Sequence, residues 1–243
     1  MTIPLNNGIL IIILTYGEEF FMAEWLNNTF YGFDNGVFNA FHDLAVAAGG
    51  FFTPLFKAVS VIGEKGIIFF VLAIVLMLFA KTRKSGVCMF GALCVGAIIT
   101  SLILKNVIAR VRPYDAGYRE FWEFVGGAQS DSYCFPSGHT TMITAAMTAM
   151  FICFNKKWSW AGFFGVLLMG VSRVYLIAHY ATDVIGGIVV GAVSAVIAYF
   201  ITKLIFFLLE KYKDKKFCAW CLNFDIRSCF KKKSDGENES REK

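Results

Sequence analysis

The chain alternates between long apolar stretches and short clusters of charge. Crossing about 30 Å of hydrocarbon takes about 20 mostly apolar residues in a helix, and a helix satisfies its own backbone hydrogen bonds in lipid. Five apolar runs approach this length, at about 66–80, 86–104, 139–155, 159–178 and 184–208. The pattern therefore predicts an all-α fold, a polytopic bundle of transmembrane helices.

The first 62 residues have a weaker pattern. Residues 8–16 are apolar, but three glutamates follow by position 24. Over 33–62, apolar positions recur at helical spacing with polar residues between them, which fits either one more span or a pair of helices at the membrane interface. We favour a span within 1–62, which brings the prediction to about six spanning helices.

Composition supports a membrane protein and excludes other classes. Apolar residues make up 57% of the 243 positions and charged residues only 17%, which is too little charge for a typical soluble domain. The net charge is +5, but the basic residues lie in short clusters between apolar runs and in the tail. This placement is typical of orientation in a bilayer, so we expect membrane lipids as partners and no nucleic acid.

The basic residues also predict how the chain is oriented. Fifteen of the 23 Lys and Arg residues lie at 81–84, 155–158 and 210–243. The excess of Lys and Arg marks the cytoplasmic side. We therefore divide the chain into an N-terminal membrane or interfacial segment at 1–62, a transmembrane domain at 63–209 and a basic cytoplasmic tail at 210–243.

Two segments predicted to face outward, the 105–138 loop and the 172–183 turn, contain most of the chemically reactive residues. Lys105 and Arg112 are two helical turns apart, so they share one face if the preceding helix continues up to Pro113. Cations at a membrane surface also anchor helix ends. This pair therefore has a purely structural alternative.

A proline and small residues precede the third apolar run. We expect Ser137 at the N-cap of that helix, with Gly138 and His139 in its first turn. The free amide groups of a first turn form a ready anion site. A plain helix cap with an interfacial histidine is the structural alternative.

The third group contains His179 and Asp183, which are four residues apart. On a helix, the carboxylate can hold one imidazole nitrogen and leave the other free. Arg173 is off that face, so we expect a break in the helix between Arg173 and His179. A structural histidine–aspartate pair that closes a turn is the alternative.

The predicted topology brings these three groups to the same side of the membrane. Three cations, helix-start amides and two histidines together fit a phosphate group, and such a cluster of charge is costly at a lipid edge without a ligand. The region has no His, Cys and carboxylate cluster at ligand spacing, and fixed positive charge disfavours a divalent ion. We therefore expect no metal and no cofactor.

The three groups resemble the signature of the type 2 phosphatidic acid phosphatase superfamily. The matching stretches are Lys105-x6-Arg112-Pro113, Pro136-Ser137-Gly138-His139 and Ser172-Arg173-x5-His179-x3-Asp183. The resemblance extends over about 60–208. It implies a six-helix, metal-independent membrane enzyme that hydrolyses lipid phosphate or diphosphate esters, and it makes 63–209 the catalytic domain.

The resemblance also implies a role for each matching residue. His179 is similar to the family's nucleophile, Asp183 to its orienting partner, and His139 to the acid that protonates the leaving oxygen. The residues implied to bind the phosphoryl oxygens are Lys105, Arg112, Ser137, Gly138 and Arg173.

We accordingly predict an integral membrane lipid phosphatase that acts through a phosphohistidine on a polyprenyl diphosphate or a phosphatidate-type lipid. Short loops favour a bacterial plasma membrane, with the active site facing outward and the C-terminus in the cytoplasm. Two alternatives remain. One is an enzyme like the vanadate-dependent haloperoxidases, in which a metal oxyanion occupies the phosphate position; the other is a non-catalytic lipid-phosphate binder or transporter.

The tail contains three cysteines, Cys218, Cys221 and Cys229. A zinc site would need a fourth ligand that the tail lacks. Acylation of cysteines next to a membrane is a second alternative. We interpret them as unpaired thiols.

Overall fold

The computed structural model describes residues 7–127, 129–130, 132–154 and 156–228, which form helices and turns with no strand among them. The helices are α1 (Asn7–Ile62), α2 (Ile67–Leu78), α3 (Arg83–Ala97), α4 (Lys105–Ile108), α5 (Arg119–Val125), α6 (Gly138–Cys153), α7 (Lys156–Tyr175), α8 (Ala181–Lys211) and α9 (Lys216–Asn223). A π-helical segment, Ile98–Leu104, joins α3 to α4, and single 3-10 turns occupy Glu64–Gly66 and Pro113–Asp115. The all-α prediction is confirmed.

Each predicted apolar run corresponds to a helix. Three helical stretches, Phe21–Ile62, Arg83–Asp115 and Ala181–Lys211, are long and apolar enough to cross a membrane, and Ile67–Leu78 and Trp160–Tyr175 are shorter apolar helices. This arrangement is that of a membrane helix bundle.

The N-terminal segment is one long helix that bends once. Ala48 has non-helical dihedrals, φ −145° and ψ 26°, within α1. Gly49, Gly50 and Pro54 follow, and glycine pairs and proline are the usual places where a helix kinks. The segment is therefore helical over Asn7–Ile62 with a kink at Ala48, and its Phe21–Ile62 stretch is long and apolar enough to cross a membrane.

The outer surface of the bundle is strongly apolar. Phe51 on α1 exposes 67% of its surface, Phe164 on α7 exposes 70%, and Phe200 on α8 exposes 62%. Exposed apolar area of this extent is unfavourable in water and is what a lipid-facing surface requires.

Small residues hold the centre of the bundle together. Helices α3, α6 and α8 pack against one another, and α1 packs against α7. Ala92, Ala145 and Ala195 are fully buried between the central helices. A Cβ atom on Gly191 of α8 would lie 2.6 Å from the carbonyl oxygen of Thr141 on α6. This close approach, common between membrane helices, brings the first turns of α6 and α8 together.

The start of the tail docks on the turn before α3. The guanidinium of Arg83 donates hydrogen bonds to the carbonyl oxygens of Cys221 and Leu222, at 2.9 and 2.8 Å. Cys218 and Cys221 are free thiols. Cys229 and the rest of the tail lie outside the described residues.

Candidate active site

The chain leaves the helical conformation before it reaches Arg112. Ala109 takes a left-handed φ of 52° at the end of α4, and Arg112 is extended, with φ −70° and ψ 151°. Pro113 excludes the helical conformation at the residue before it. The helix therefore does not continue to Pro113, the condition under which Lys105 and Arg112 would share one helical face, yet both side chains line the same cavity.

The first turn of α6 is formed as predicted. Ser137 is the N-cap residue. Its side chain is fully buried, and its Oγ accepts a 3.0 Å hydrogen bond from the hydroxyl of Thr140. The backbone N–H of Ser137 donates to the carbonyl oxygen of Asp183 at 3.0 Å. Ser137 therefore fixes α6 against α8, while Gly138 and His139 face the cavity.

A strained turn carries His179 out of the helix. Helix α7 ends at Tyr175, and Ile177 has a φ of 53°, a region in which a β-branched residue is strained. The buried Ile177 side chain packs in the apolar cluster around Tyr175. The predicted break between Arg173 and His179 is confirmed. His179 precedes α8, so it meets Asp183 from the turn before that helix and not along one helix.

The three motifs meet at a cavity of about 650 Å³. Six of the eight residues singled out from the sequence line it: Lys105, Arg112, Gly138, His139, Arg173 and His179. The other two, Ser137 and Asp183, have no exposed surface and lie behind the cavity wall. Residues separated by more than 70 positions are thus brought together.

The hydrogen-bond partners of the three cations of this cavity are neutral groups. Arg112 donates to the carbonyl oxygens of Ser132 and Ala178, at 2.6 and 2.9 Å, and Lys105 donates to the hydroxyl of Ser132 at 3.1 Å. Arg173 donates to the hydroxyl of Ser60. Within the described part of the chain, no carboxylate forms an ion pair with any of the three.

His179 is held beside a buried carboxylate. Its Nδ1 lies 3.6 Å from Oδ2 of Asp183, and the two side chains are 2% and 0% exposed. This separation is longer than a hydrogen bond, so the two groups face each other without one. Burial lowers the pKa of His179 well below its usual value, and the positive charges of Arg112, Arg173 and Lys105 lower it further. The imidazole is therefore neutral at pH 7.

Two acidic residues near the site were not identified from the sequence. Asp34 on α1 is 3% exposed and forms a 2.9 Å ion pair with Arg110, which also binds Asp183. Glu64, in the turn after α1, lines the cavity together with the three cations. Neither residue belongs to a motif. The one feature of the sequence that could have pointed to Asp34 is its partner Arg110, a second arginine two residues before Arg112.

Comparison with known proteins gives a family match over the same region. The family model described as the PAP2 superfamily matches residues 85–207. These residues contain all three motifs.

Several characterised proteins are similar over this part of the chain. A lipid A 4'-phosphatase of Porphyromonas gingivalis is 31% identical over 51% of this chain and 55% of its own length. An undecaprenyl-diphosphatase of Sulfolobus acidocaldarius is 28% identical over 48% of this chain and 55% of its own length. A phosphatidylglycerophosphatase B of Bacillus subtilis is 32% identical over 46% and 51%, respectively.

The matched region spans about half the length of each of these relatives. No solved structure matches the chain.

Proposed function

Because the chain belongs to the PAP2 superfamily, we propose that it is an integral membrane hydrolase that releases phosphate from a lipid phosphate or diphosphate. The observation that carries the proposal is the set of three buried or half-buried cations that face one cavity without a described carboxylate partner. Unpaired positive charge is costly in such a place. A bound phosphate group supplies the missing counter-charge.

The proposed roles follow from the position of each residue at the cavity. Lys105, Arg112 and Arg173 bind the phosphoryl oxygens, together with the amides at the start of α6. Of the two residues expected to supply these amides, Gly138 lines the cavity. The amide of Ser137 is occupied by the carbonyl oxygen of Asp183, so Ser137 supports the start of α6 from behind the cavity wall. Phosphoryl transfer needs mainly positioning and stabilisation of charge on these oxygens. Since fixed cations and amides provide both, the reaction proceeds without a metal.

The covalent step uses the neutral imidazole of His179. Its Nδ1 faces Asp183, which leaves Nε2 to attack phosphorus. The bond from phosphorus to the leaving oxygen breaks, and His139 gives that oxygen a proton. Asp183 stabilises the positive charge that develops on the phosphohistidine.

A water molecule completes the reaction. His139 takes a proton from the water, which attacks phosphorus and breaks the phosphorus–nitrogen bond. Inorganic phosphate leaves, and His179 returns to its neutral form. Proton transfers of this kind contribute on the order of 10² to 10⁴ in rate.

The proposed substrate is a lipid whose phosphate enters the cavity while its chain stays in the bilayer. A polyprenyl diphosphate and a phosphatidate-type lipid both fit this description, as the names of the relatives suggest. We place the cavity on the outer side of a bacterial plasma membrane and the C-terminus in the cytoplasm, in line with the distribution of basic residues. Residues 63–209 then form the catalytic domain, 1–62 an N-terminal membrane segment and 210–243 the tail.

The test is phosphate release by the purified chain in detergent with EDTA, on a panel of lipid monophosphates and diphosphates. We expect the wild type to be active and His179→Ala to lose roughly 10³-fold or more in kcat, since it lacks the nucleophile. His42→Ala is the matched control, because His42 lies on α1 outside the cavity. Native rates for His179→Ala would refute the mechanism, and halide oxidation with added vanadate in place of phosphate release would favour the haloperoxidase-like alternative.

A further inference from the structure

Arg110 is enclosed between two carboxylates from different helices. Its guanidinium lies 2.9 Å from Oδ2 of Asp34 on α1 and 2.6 Å from Oδ1 of Asp183 on α8. The three side chains are 1%, 4% and 0% exposed. Charge buried this completely is stable only when it is paired. The group therefore acts as one unit, which we call the Asp34–Arg110–Asp183 chain.

Helix α1 is tied to the first turn of α8 through the same group. Asp34 accepts hydrogen bonds from the backbone N–H of Thr182 at 2.9 Å and from its hydroxyl at 2.7 Å. Arg110 also donates from Nε to the side-chain oxygen of Asn27 at 2.8 Å, and its guanidinium lies 3.9 Å from the centre of the Tyr180 ring. Each of the three side-chain nitrogens of Arg110 thus has a hydrogen-bond partner.

These contacts fix the orientation of Asp183. Arg110 holds Oδ1, and the backbone N–H of Tyr180 donates to Oδ2 at 3.0 Å. With both oxygens engaged, the carboxylate has one rotational position available. In that position Oδ2 faces Nδ1 of His179.

The Asp34–Arg110–Asp183 chain also sets the electrostatic charge next to His179. If Arg110 paired with Asp183 alone, the two charges would cancel beside the imidazole. Asp34 supplies a second negative charge to Arg110, so the Asp34–Arg110–Asp183 chain keeps a net charge of −1. That charge is available to stabilise a histidine that becomes positive.

We propose that Asp34 and Arg110 are positioning residues, through which helix α1 aims the carboxylate of Asp183 at His179 and leaves its negative charge available there. This inference rests on the proposed function. It extends the catalytic unit beyond 63–209 into the N-terminal segment. Neither Asp34 nor Arg110 lines the phosphate cavity, so both act on the chemical step and not on substrate binding.

The kinetic test is a double-mutant cycle between positions 34 and 183. Asp34→Asn keeps an acceptor for the Thr182 amide but removes the charge, and we expect kcat to fall about tenfold with KM unchanged. In an Asp183→Asn background, the same substitution should have no further effect, because its target is absent. Glu24→Gln, an exposed acid on the same helix, is the matched control. Equal losses from Asp34→Asn in both backgrounds, or native kcat in Asp34→Asn, would overturn the proposal.

A milder variant guards against misfolding. Asn27→Ala removes one hydrogen bond to Arg110 and leaves both carboxylates in place, so we expect kcat to fall about threefold, the effect of one modest hydrogen bond. If Asp34→Asn does not fold, a native kcat in Asn27→Ala would overturn the proposal.

A second readout needs no substrate and separates this inference from the proposed function. Diethyl pyrocarbonate modifies neutral imidazole, and mass spectrometry measures its rate at His179 with His42 as the internal reference. We expect Asp34→Asn to slow modification of His179 severalfold relative to His42, and Glu24→Gln to leave the ratio unchanged. An unchanged ratio in Asp34→Asn would overturn the positioning role even in a chain that hydrolyses lipid phosphates. A lowered ratio in a chain that hydrolyses none would support positioning and refute the proposed function.

Discussion

Arg110 and Arg112 are two residues apart on one non-helical segment, yet their surroundings are opposite. Arg110 is 1% exposed and forms ion pairs with two carboxylates. Arg112 is 5% exposed and contacts only carbonyl and hydroxyl oxygens in the described part of the chain. The two side chains therefore differ in the charge of their partners and not in the extent of their burial.

The difference separates two uses of buried positive charge. A cation whose counter-charges belong to the protein stabilises the fold and positions its partners. A cation without such counter-charges weakens the fold and attracts an anionic ligand. Removal of Arg110 should therefore lower the stability of the protein, whereas removal of a cavity cation should not.

The largest expected effect comes from Arg110→Met. The substitution leaves Asp34 and Asp183 buried without their partner, which costs about 3–5 kcal/mol in the free energy of unfolding. Activity falls as well, since Asp183 loses its orientation. Unfolding in mixed detergent micelles measures the stability, and a free energy of unfolding equal to that of the wild type would contradict the paired role of Arg110.

Removal of a cavity cation should have the opposite pattern. Lys105→Met eliminates a charge that has no described carboxylate partner, so we expect the loss of roughly 10²-fold in kcat/KM without a loss of stability. Lys203→Met is the matched control, because Lys203 lies outside this cavity. A variant that lost stability but retained activity would reverse the assignment of Lys105.

The pH dependence of activity should depend on the same cavity cations. The pKa of His179 is lowered by burial and by the cavity cations, and the protonated imidazole is not a nucleophile. Activity should therefore persist below pH 6.5, the ordinary pKa of histidine, and fall only at more acidic pH. In Lys105→Met this acidic limb should move upward, because one repulsive positive charge is gone. A limb at the same pH in both proteins would argue against coupling between the two residues.

The smallest expected effect concerns Glu64, the one carboxylate among the described residues that line the cavity. Glu64 lines the same cavity as the three cations, where it repels an anionic substrate. We expect Glu64→Gln to lower KM about twofold to fivefold, with the larger change for a diphosphate, as for a partly screened charge pair. Glu120→Gln on α5 is the matched control, and a rise in KM for Glu64→Gln would indicate that the carboxylate contacts the substrate favourably.

The sequence predicted the helices and the motif residues because each has a local signal. Apolar runs define α2, α3 and α6 to α8, and Ser137 is an N-cap in a recognisable position. The spacing of Lys105 and Arg112 would also suit a continuing helix, and the left-handed conformation of Ala109, which ends the helix first, has no signal in the local sequence. Asp34 was not identified, because its partner Arg110 lies 76 residues away and only the fold brings them together.

Trapping the covalent intermediate tests directly whether His179 is the nucleophile. The purified chain is mixed with a lipid phosphate, quenched in alkali within milliseconds, digested and analysed by mass spectrometry for phosphohistidine. We expect phosphate on His179 in the wild type and no trapped phosphate in His179→Ala. Phosphate release with no phosphohistidine at residue 179, or with the phosphate on another residue, would contradict this role of His179.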